Sequence, residues 1–177
     1  MSTTAEQQGF CTVTYRAWRE AVLPGPDHVV WLEHDFVLNR SVDWRQMAQV
    51  LDAHPSLAQM QLMRNAVNEQ ELAAGGLFES RPGQYTRQVD YADDLDAGDQ
   101  AGPEIPWLSH KAYFSTNPSL MRRDWMAANP WPDPELVPER CEGIYGFDLV
   151  QDGWHFGVWG TGEPWTEHVG VRDGHGY

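Results

Sequence analysis

Long apolar runs are missing from this chain. No uninterrupted stretch approaches the roughly 20 residues a membrane-spanning helix needs. The polar start MSTTAEQQ lacks the charged-then-apolar pattern of a secretory signal. A soluble, cytoplasmic protein with no membrane partner is therefore expected. Basic residues are also scarce: 12 Lys and Arg stand against 26 Asp and Glu, a net charge of -14. Such a surface repels polyanions and argues against sequence-independent nucleic-acid binding. A phosphorylated small molecule stays admissible, because a bound divalent cation inverts the field where it sits. Cysteine is rarer still. Cys11 and Cys141 are too few for a disulfide framework or a four-cysteine zinc site, and they read as free, reduced thiols.

What is present suffices for a core. With 177 residues, 41% hydrophobic and 12% aromatic, the chain fits one domain over 1–177. FCTVTYRAWREAV sets Phe10, Val13, Ala17 and Ala21 at helical spacing, and LPGP closes that segment. HVVWL, residues 28–32, reads as a buried strand with the charged triplet EHD at its carboxyl end. Ser41 can cap a second helix whose stripe is Trp44, Met47, Val50 and Leu51, ending before Pro55. LAQMQLM alternates as a strand, and NEQELAAGG suggests a short helix stopped by glycine. Residues 78–106 carry Gly, Pro, Asp and Gln with little periodicity and read as a long irregular loop or lid, its acidic run a solvated face. KAYFST, residues 111–116, reads as a strand; in NPSLMRRDWM, Pro118 blocks a central strand position and the second half turns helical. PERCEGIYGFDLVQDG predicts a helix with Ile144, Phe147 and Val150 inward, before two final strands in WHFGVWG and TEHVGV. Helices alternating with short strands predict a single-domain α/β layer structure with a partly parallel sheet.

Three features carry chemistry. Glu33 and Asp35 stand two apart at a strand end, where ligands collect in open α/β sheets, and carboxylate oxygens suit Mg²⁺ or Mn²⁺. Acidic residues also follow a strand simply because the chain has reached water. His168, in WTEHVG, is either a hydrogen-bonded structural histidine or a neutral imidazole completing a metal site. Glu139 and Glu142 lie three apart at the start of a helix. Glu139 suits a cap, and Glu142 a general base.

The ordered blocks AWREAV, VVWLEHDF, STNPSLMRRDWM, CEGIYGFDL, WHFGVWG and EHVGVRDGHGY resemble the second half of GT-A glycosyltransferases of the family 2 kind, of the bacterial and phage type, over roughly Phe10 to Tyr177. The resemblance implies a truncated GT-A-like, Rossmann-like mixed sheet flanked by helices. It also implies an inverting, metal-dependent transfer of a sugar from a nucleotide-diphosphate donor to an acceptor hydroxyl. Glu33 and Asp35 match the D-x-D element that holds Mn²⁺ or Mg²⁺, with Glu in place of the usual first Asp, and His168 matches a C-terminal histidine that adds a metal contact. Glu142 matches the catalytic base, with Asp148 as runner-up. Arg172 would touch the diphosphate, and Asn117 and Ser119 match a segment beside the sugar. Trp107, Tyr113, Trp159 and Trp165 are available to stack on sugar or base, although core packing is the commoner role for tryptophan.

The family begins with a strand, helix and strand that bind the nucleotide base ahead of the D-x-D strand. Glu33 follows only thirty-two residues, room for one helix but not for that unit. An exposed sheet edge is then expected, to be covered by a second copy or a partner chain. Two other readings stand beside the transferase: a non-catalytic binding or assembly protein derived from one, and a metal-dependent hydrolase. Donor sugar, base and acceptor, whether glycan, protein or modified nucleotide, are not written in these motifs.

Overall fold

Along the chain the elements are α1 (Phe10–Ala21), β1 (His28–Trp31), β2 (Phe36–Leu38), α2 (Trp44–Ala53), β3 (Leu57–Leu62), α3 (Glu69–Ala74), β4 (Thr86–Tyr91), β5 (Glu104–His110), β6 (Ser119–Arg122), α4 (Arg123–Ala128), α5 (Cys141–Gln151), β7 (His155–Trp159) and β8 (Thr166–His168). This computed structural model describes residues 9–92, 102–136 and 141–169. Six strands form one sheet in the order β1-β6-β3-β7-β5-β4, and β2 pairs with β8 in a separate ribbon. Every neighbouring pair in the large sheet is antiparallel except β3 and β7. The chain is thus mixed α/β, with a mostly antiparallel mixed sheet.

Both faces of the sheet are covered, because strand residues alternate between them. On one face, Ala58, Met121 and Phe156 pack with Trp18 of α1, Trp125 and Met126 of α4, and Tyr145 and Leu149 of α5. On the other, Met47, Val50 and Leu51 of α2 pack on Leu57, Met60, Leu62 and Leu120. A register shift between Leu57 and Gln59 lets Leu57 and Met60, three apart, share a face. Gly157 has no Cβ because the Met60 thioether lies 2.7 Å from where one would stand.

α2 keeps its expected stripe, but its cap is Asp43 and not Ser41: Asp43 Oδ1 accepts from the Arg45 and Gln46 amides, both at 3.1 Å. Asn68 caps α3, and Gly75, at φ 95°, ends it.

Five further expectations are corrected. α1 turns Thr14 and Trp18 inward and leaves Val13 exposed, because the Trp18 indole packs in the aromatic cluster and its Nε1–H donates to the Met126 carbonyl at 3.1 Å. α5 likewise buries Tyr145, Gly146 and Leu149, while Ile144 and Phe147 are 41% and 62% exposed; Gly146 sits against Phe114, where a Cβ would come within 3.2 Å of it. Residues 78–106 are not one irregular loop, since β4 and β5 pair from Thr86↔Ser109 to Tyr91↔Glu104. That hairpin ends the sheet, so polar residues are tolerated on β4 and the alternation is weak. Lys111–Thr116 is not a strand. The ladder is taken up by Ser119–Arg122 between β1 and β3, and Pro118, just outside it, serves as an acceptor for the Leu62 amide at 2.7 Å.

The fifth correction concerns the thiols. Cys11 and Cys141 form a disulfide that ties α1 to the first residue of α5. They are 130 positions apart, a pairing that counting cysteines does not suggest. Bonds of this kind persist where thiols are oxidised. Among the described residues no helix is long and apolar enough to cross a membrane.

Candidate active site

β1 runs out at Trp31, and the chain turns, with the Phe36 amide donating to the Glu33 carbonyl at 3.4 Å. That turn sets Glu33 and Asp35 beyond the carboxyl end of an edge strand. β2 then pairs with β8 in the register Phe36↔His168, and the Val169 amide donates to the Asp35 carbonyl at 2.8 Å. The register brings His168 Nε2 to 3.0 Å from Asp35 Oδ2. Asn65 Oδ1 accepts from the His168 backbone amide at 3.1 Å, and the Phe36 ring stands edge-on at 4.9 Å, so the imidazole is held by Asp35 and Phe36 and its backbone by Asn65. The other oxygen, Asp35 Oδ1, is buried without a hydrogen-bond partner.

Glu142 enters from the opposite end of the sequence. The disulfide at Cys141 anchors the first turn of α5. There Glu142 Oε1 accepts from both the Thr116 amide, at 2.8 Å, and the Thr116 hydroxyl, at 3.1 Å. Burial raises the Glu142 carboxyl above the ordinary carboxylate range, against the pull of these two bonds. Glu33 is pushed up to about 7: burial is the main cause, hydrogen bonding to Thr116 works against it, and the charges of Glu142 and Asp35 add to it. Glu33 thus lies close enough to feel both other carboxylates.

Glu33, Glu142 and His168 open on a common cleft of about 280 Å³, lined also by Asn117, Arg64 and Arg81. Arg64 is pinned by Glu71 through two parallel bonds of 2.8 and 3.0 Å. Burial opposes the Glu71 charge, but hydrogen bonds from Arg64 and the Val67 amide pull that carboxyl down to about 2. Tyr113 lines the same cleft, its hydroxyl 2.8 Å from that of Tyr85.

Of the residues expected from sequence, Glu33, Asp35, Asn117, Glu142 and His168 come together. Ser119 does not line the cleft; it is wholly buried in β6. Asp148 is exposed on α5 and also stands outside the cleft. Arg172 and Glu139 lie outside the described residues. Trp107 and Trp159 belong to the core, and Trp165 lies under the Arg40 guanidinium at 4.8 Å. Sequence reasoning missed Thr116, Arg64 and Arg81. The STNPS turn signal lay beside Thr116, whereas nothing local marks the two arginines.

Among the described residues no three or more His, Cys, Asp or Glu side chains are grouped as a metal site. Asp35 and His168 do offer an oxygen and a nitrogen side by side, with a second carboxylate oxygen left over. A hydrated divalent ion can be bound through as few as one or two carboxylates, and Asp35 Oδ1 is the oxygen of this pair that is without a partner. Comparison of the chain with models of known protein families, with curated proteins and with solved structures finds no match.

Proposed function

We propose that this chain is an inverting, divalent-metal-dependent glycosyltransferase of GT-A-like ancestry, using a nucleotide-diphosphate sugar as donor and a hydroxyl as acceptor. The observation that carries this reading is the meeting of Glu33, the Asp35–His168 pair and Glu142 at one cleft, from three distant parts of the chain. Their arrangement suits transfer better than simple ion storage, because one carboxylate stands apart from the pair.

Asp35 and His168 would hold the cation, Mn²⁺ or Mg²⁺, which as a Lewis acid neutralises charge on a leaving diphosphate. Glu142 is the base. Thr116 occupies its Oε1, which leaves Oε2 for the proton of the acceptor hydroxyl. As that proton moves to Glu142, the hydroxyl oxygen bonds to the anomeric carbon. The bond from that carbon to the diphosphate breaks, and its electron pair leaves with the nucleoside diphosphate. One displacement on the face opposite the leaving group inverts the configuration. A carboxylate with a raised pKa is a better proton acceptor near neutrality, and burial of Glu142 provides this. The charge of Glu142 helps to raise Glu33; neutral in part near pH 7, Glu33 limits repulsion in the cleft.

A non-catalytic binding or assembly protein is the second reading. It draws on the free edge of β1, where Val30 is 44% exposed and Leu32, just beyond the strand, is 51% exposed.

The test is a thermal-shift titration with Mn²⁺ and a panel of nucleoside diphosphates on the natural chain and on Asp35→Ala. Selective binding raises the melting temperature by mass action. A metal-dependent rise for one nucleotide, absent in the variant, supports the transferase. No rise for any nucleotide on the folded protein turns the reading to the binding protein.

A further inference from the structure

The cleft carries charge of both signs: Glu33, Glu142 and the Asp35–His168 pair supply its acidic groups, Arg64 and Arg81 its basic ones. The two arginines act together on the Tyr85 and Tyr113 hydroxyls, lowering the pKa of both against the larger upward effect of burial. They therefore flank that tyrosine pair. The charged neighbours that shift Glu33 are the carboxylates Glu142 and Asp35, and neither arginine makes a hydrogen bond or ion pair with Glu33 or Glu142 among the described residues.

The two arginines differ in what they already hold. Arg64 is matched by Glu71 in a buried fork. Arg81 has no hydrogen bond or ion pair to a carboxylate among the described residues. Its guanidinium carbon lies 5.7 Å from the centre of the Tyr113 ring, and its charge falls on Tyr85, Tyr113 and His110, all neutral near pH 7. Its backbone is set by a run of turns: the Arg81 amide donates to the Phe78 carbonyl at 3.0 Å, and the Gln84 amide to the Arg81 carbonyl at 3.2 Å. Phe78 packs edge-on to Tyr85 at 4.7 Å, joining that turn to the tyrosine pair. In a chain of net charge -14, an arginine held over an aromatic face, with no acid bound to it among the described residues, at a ligand-sized cleft is out of keeping with its surroundings. A guanidinium presents a planar fork of donors that matches phosphoryl and carboxylate oxygens, and a tyrosine face beneath keeps that fork oriented.

We infer that the part of the cleft lined by Arg81 and Tyr113 is an oxyanion subsite, in which Arg81, with the Glu71-bound Arg64 in the same lining, receives a phosphoryl or carboxylate group of the substrate. The oxyanion belongs either to an acidic acceptor whose hydroxyl reaches Glu142 or to the diphosphate of the donor. That choice rests on the transferase reading; the subsite itself does not.

Calorimetric titrations of inorganic phosphate and of pyrophosphate, with and without Mn²⁺, on the natural chain, Arg81→Gln, Arg81→Lys and Asp35→Ala test this directly. Arg81 is exposed, so its replacement leaves the fold intact, to be checked by circular dichroism. The expected result is metal-independent phosphate binding that weakens at least tenfold in Arg81→Gln, less in Arg81→Lys, and not in Asp35→Ala; the oxyanion is then an acceptor group. Pyrophosphate binding that requires Mn²⁺ and falls in both Arg81→Gln and Asp35→Ala supports the subsite and assigns it to the donor. Equal affinities in Arg81→Gln and the natural chain, or no binding of either anion, overturn it. Phosphate binding that depends on Arg81 in a protein that binds no nucleotide keeps the subsite and removes the transferase. Nucleotide binding indifferent to Arg81 does the reverse.

Discussion

His168 Nε2 stands 3.0 Å from Asp35 Oδ2, across 133 positions of sequence. Pairing of β2 with β8 makes this contact, so the two-stranded ribbon has the task of assembling the site. Asp35→Ala should lower unfolding stability by about 1 to 2 kcal/mol, the value of a partly buried hydrogen bond to a charged group. It should also remove any Mn²⁺-dependent rise in melting temperature. Urea unfolding and metal titration of the same variant check both; a variant that keeps its Mn²⁺ response would take Asp35 out of the metal site.

Replacing Glu142 by Gln should cut sugar transfer at least a hundredfold while leaving binding of nucleotide and Mn²⁺ near the natural level, as loss of a general base does. Single-turnover transfer alongside equilibrium binding separates the two effects. An unchanged rate would exclude Glu142 as the base.

The acidic cleft should make stability depend on pH. The Glu33 carboxyl has an ordinary value of 4.5 and is pushed up to about 7 in the fold. Between those values the folded state holds more protons than the unfolded one, so stability is fully present below about 4.5 and declines as pH rises towards 7. Burial of Glu142 acts in the same direction. Glu33→Gln should flatten the decline and raise the urea midpoint at pH 8 relative to the natural chain. Midpoints at pH 5 and pH 8 for the two proteins measure this, and parallel curves would contradict it.

Arg64 and Glu71 form a pair whose loss should be costly on one side only. Glu71 is 2% exposed and Arg64 13% at the side chain. Glu71→Leu alone leaves a guanidinium without its partner and should destabilise by about 3 kcal/mol. Glu71→Leu with Arg64→Met should cost clearly less, since neither charge is then stranded. The Glu71 pKa is depressed to about 2, so the pair contributes above the ordinary value of 4.5 and its contribution fades as pH falls towards 2. A double-mutant cycle by chemical denaturation, repeated at pH 3 and pH 7, follows both effects.

The disulfide closes a long loop and should stabilise chiefly by restricting the unfolded chain. Cys11→Ser is expected to cost about 2 to 4 kcal/mol under non-reducing conditions. Thiol titration of the denatured natural protein should find no free thiol before reduction and two after it. Two free thiols at the outset would return Cys11 and Cys141 to the reduced reading.

Much of this protein is written locally. The α2 stripe of Met47, Val50 and Leu51 lies on one face whatever the rest of the chain does, because 3.6 residues complete a turn. HVVWL followed by charge placed Glu33 and Asp35 at a strand end for the same kind of reason, and β7 was legible from composition and breakers. Local periodicity fails where one large side chain outweighs several small ones. Trp18 and Tyr145 turn α1 and α5 to faces that counting apolar residues did not select.

Tertiary structure alone decided the rest. β6 lies between β1 and β3, β4 finds β5, and a single parallel pair joins β3 to β7. None of these partnerships has a local signal, since backbone hydrogen bonds are alike at every residue. The Cys11–Cys141 bond, the Arg64–Glu71 fork and the seating of Arg81 over Tyr113 at the cleft belong to the same class. The sequence by itself set which carboxylates stand at the end of β1. Whether they meet His168 and Glu142 depended on two-stranded pairing and on the seating of α5, which are long-range contacts that only the folded chain supplies.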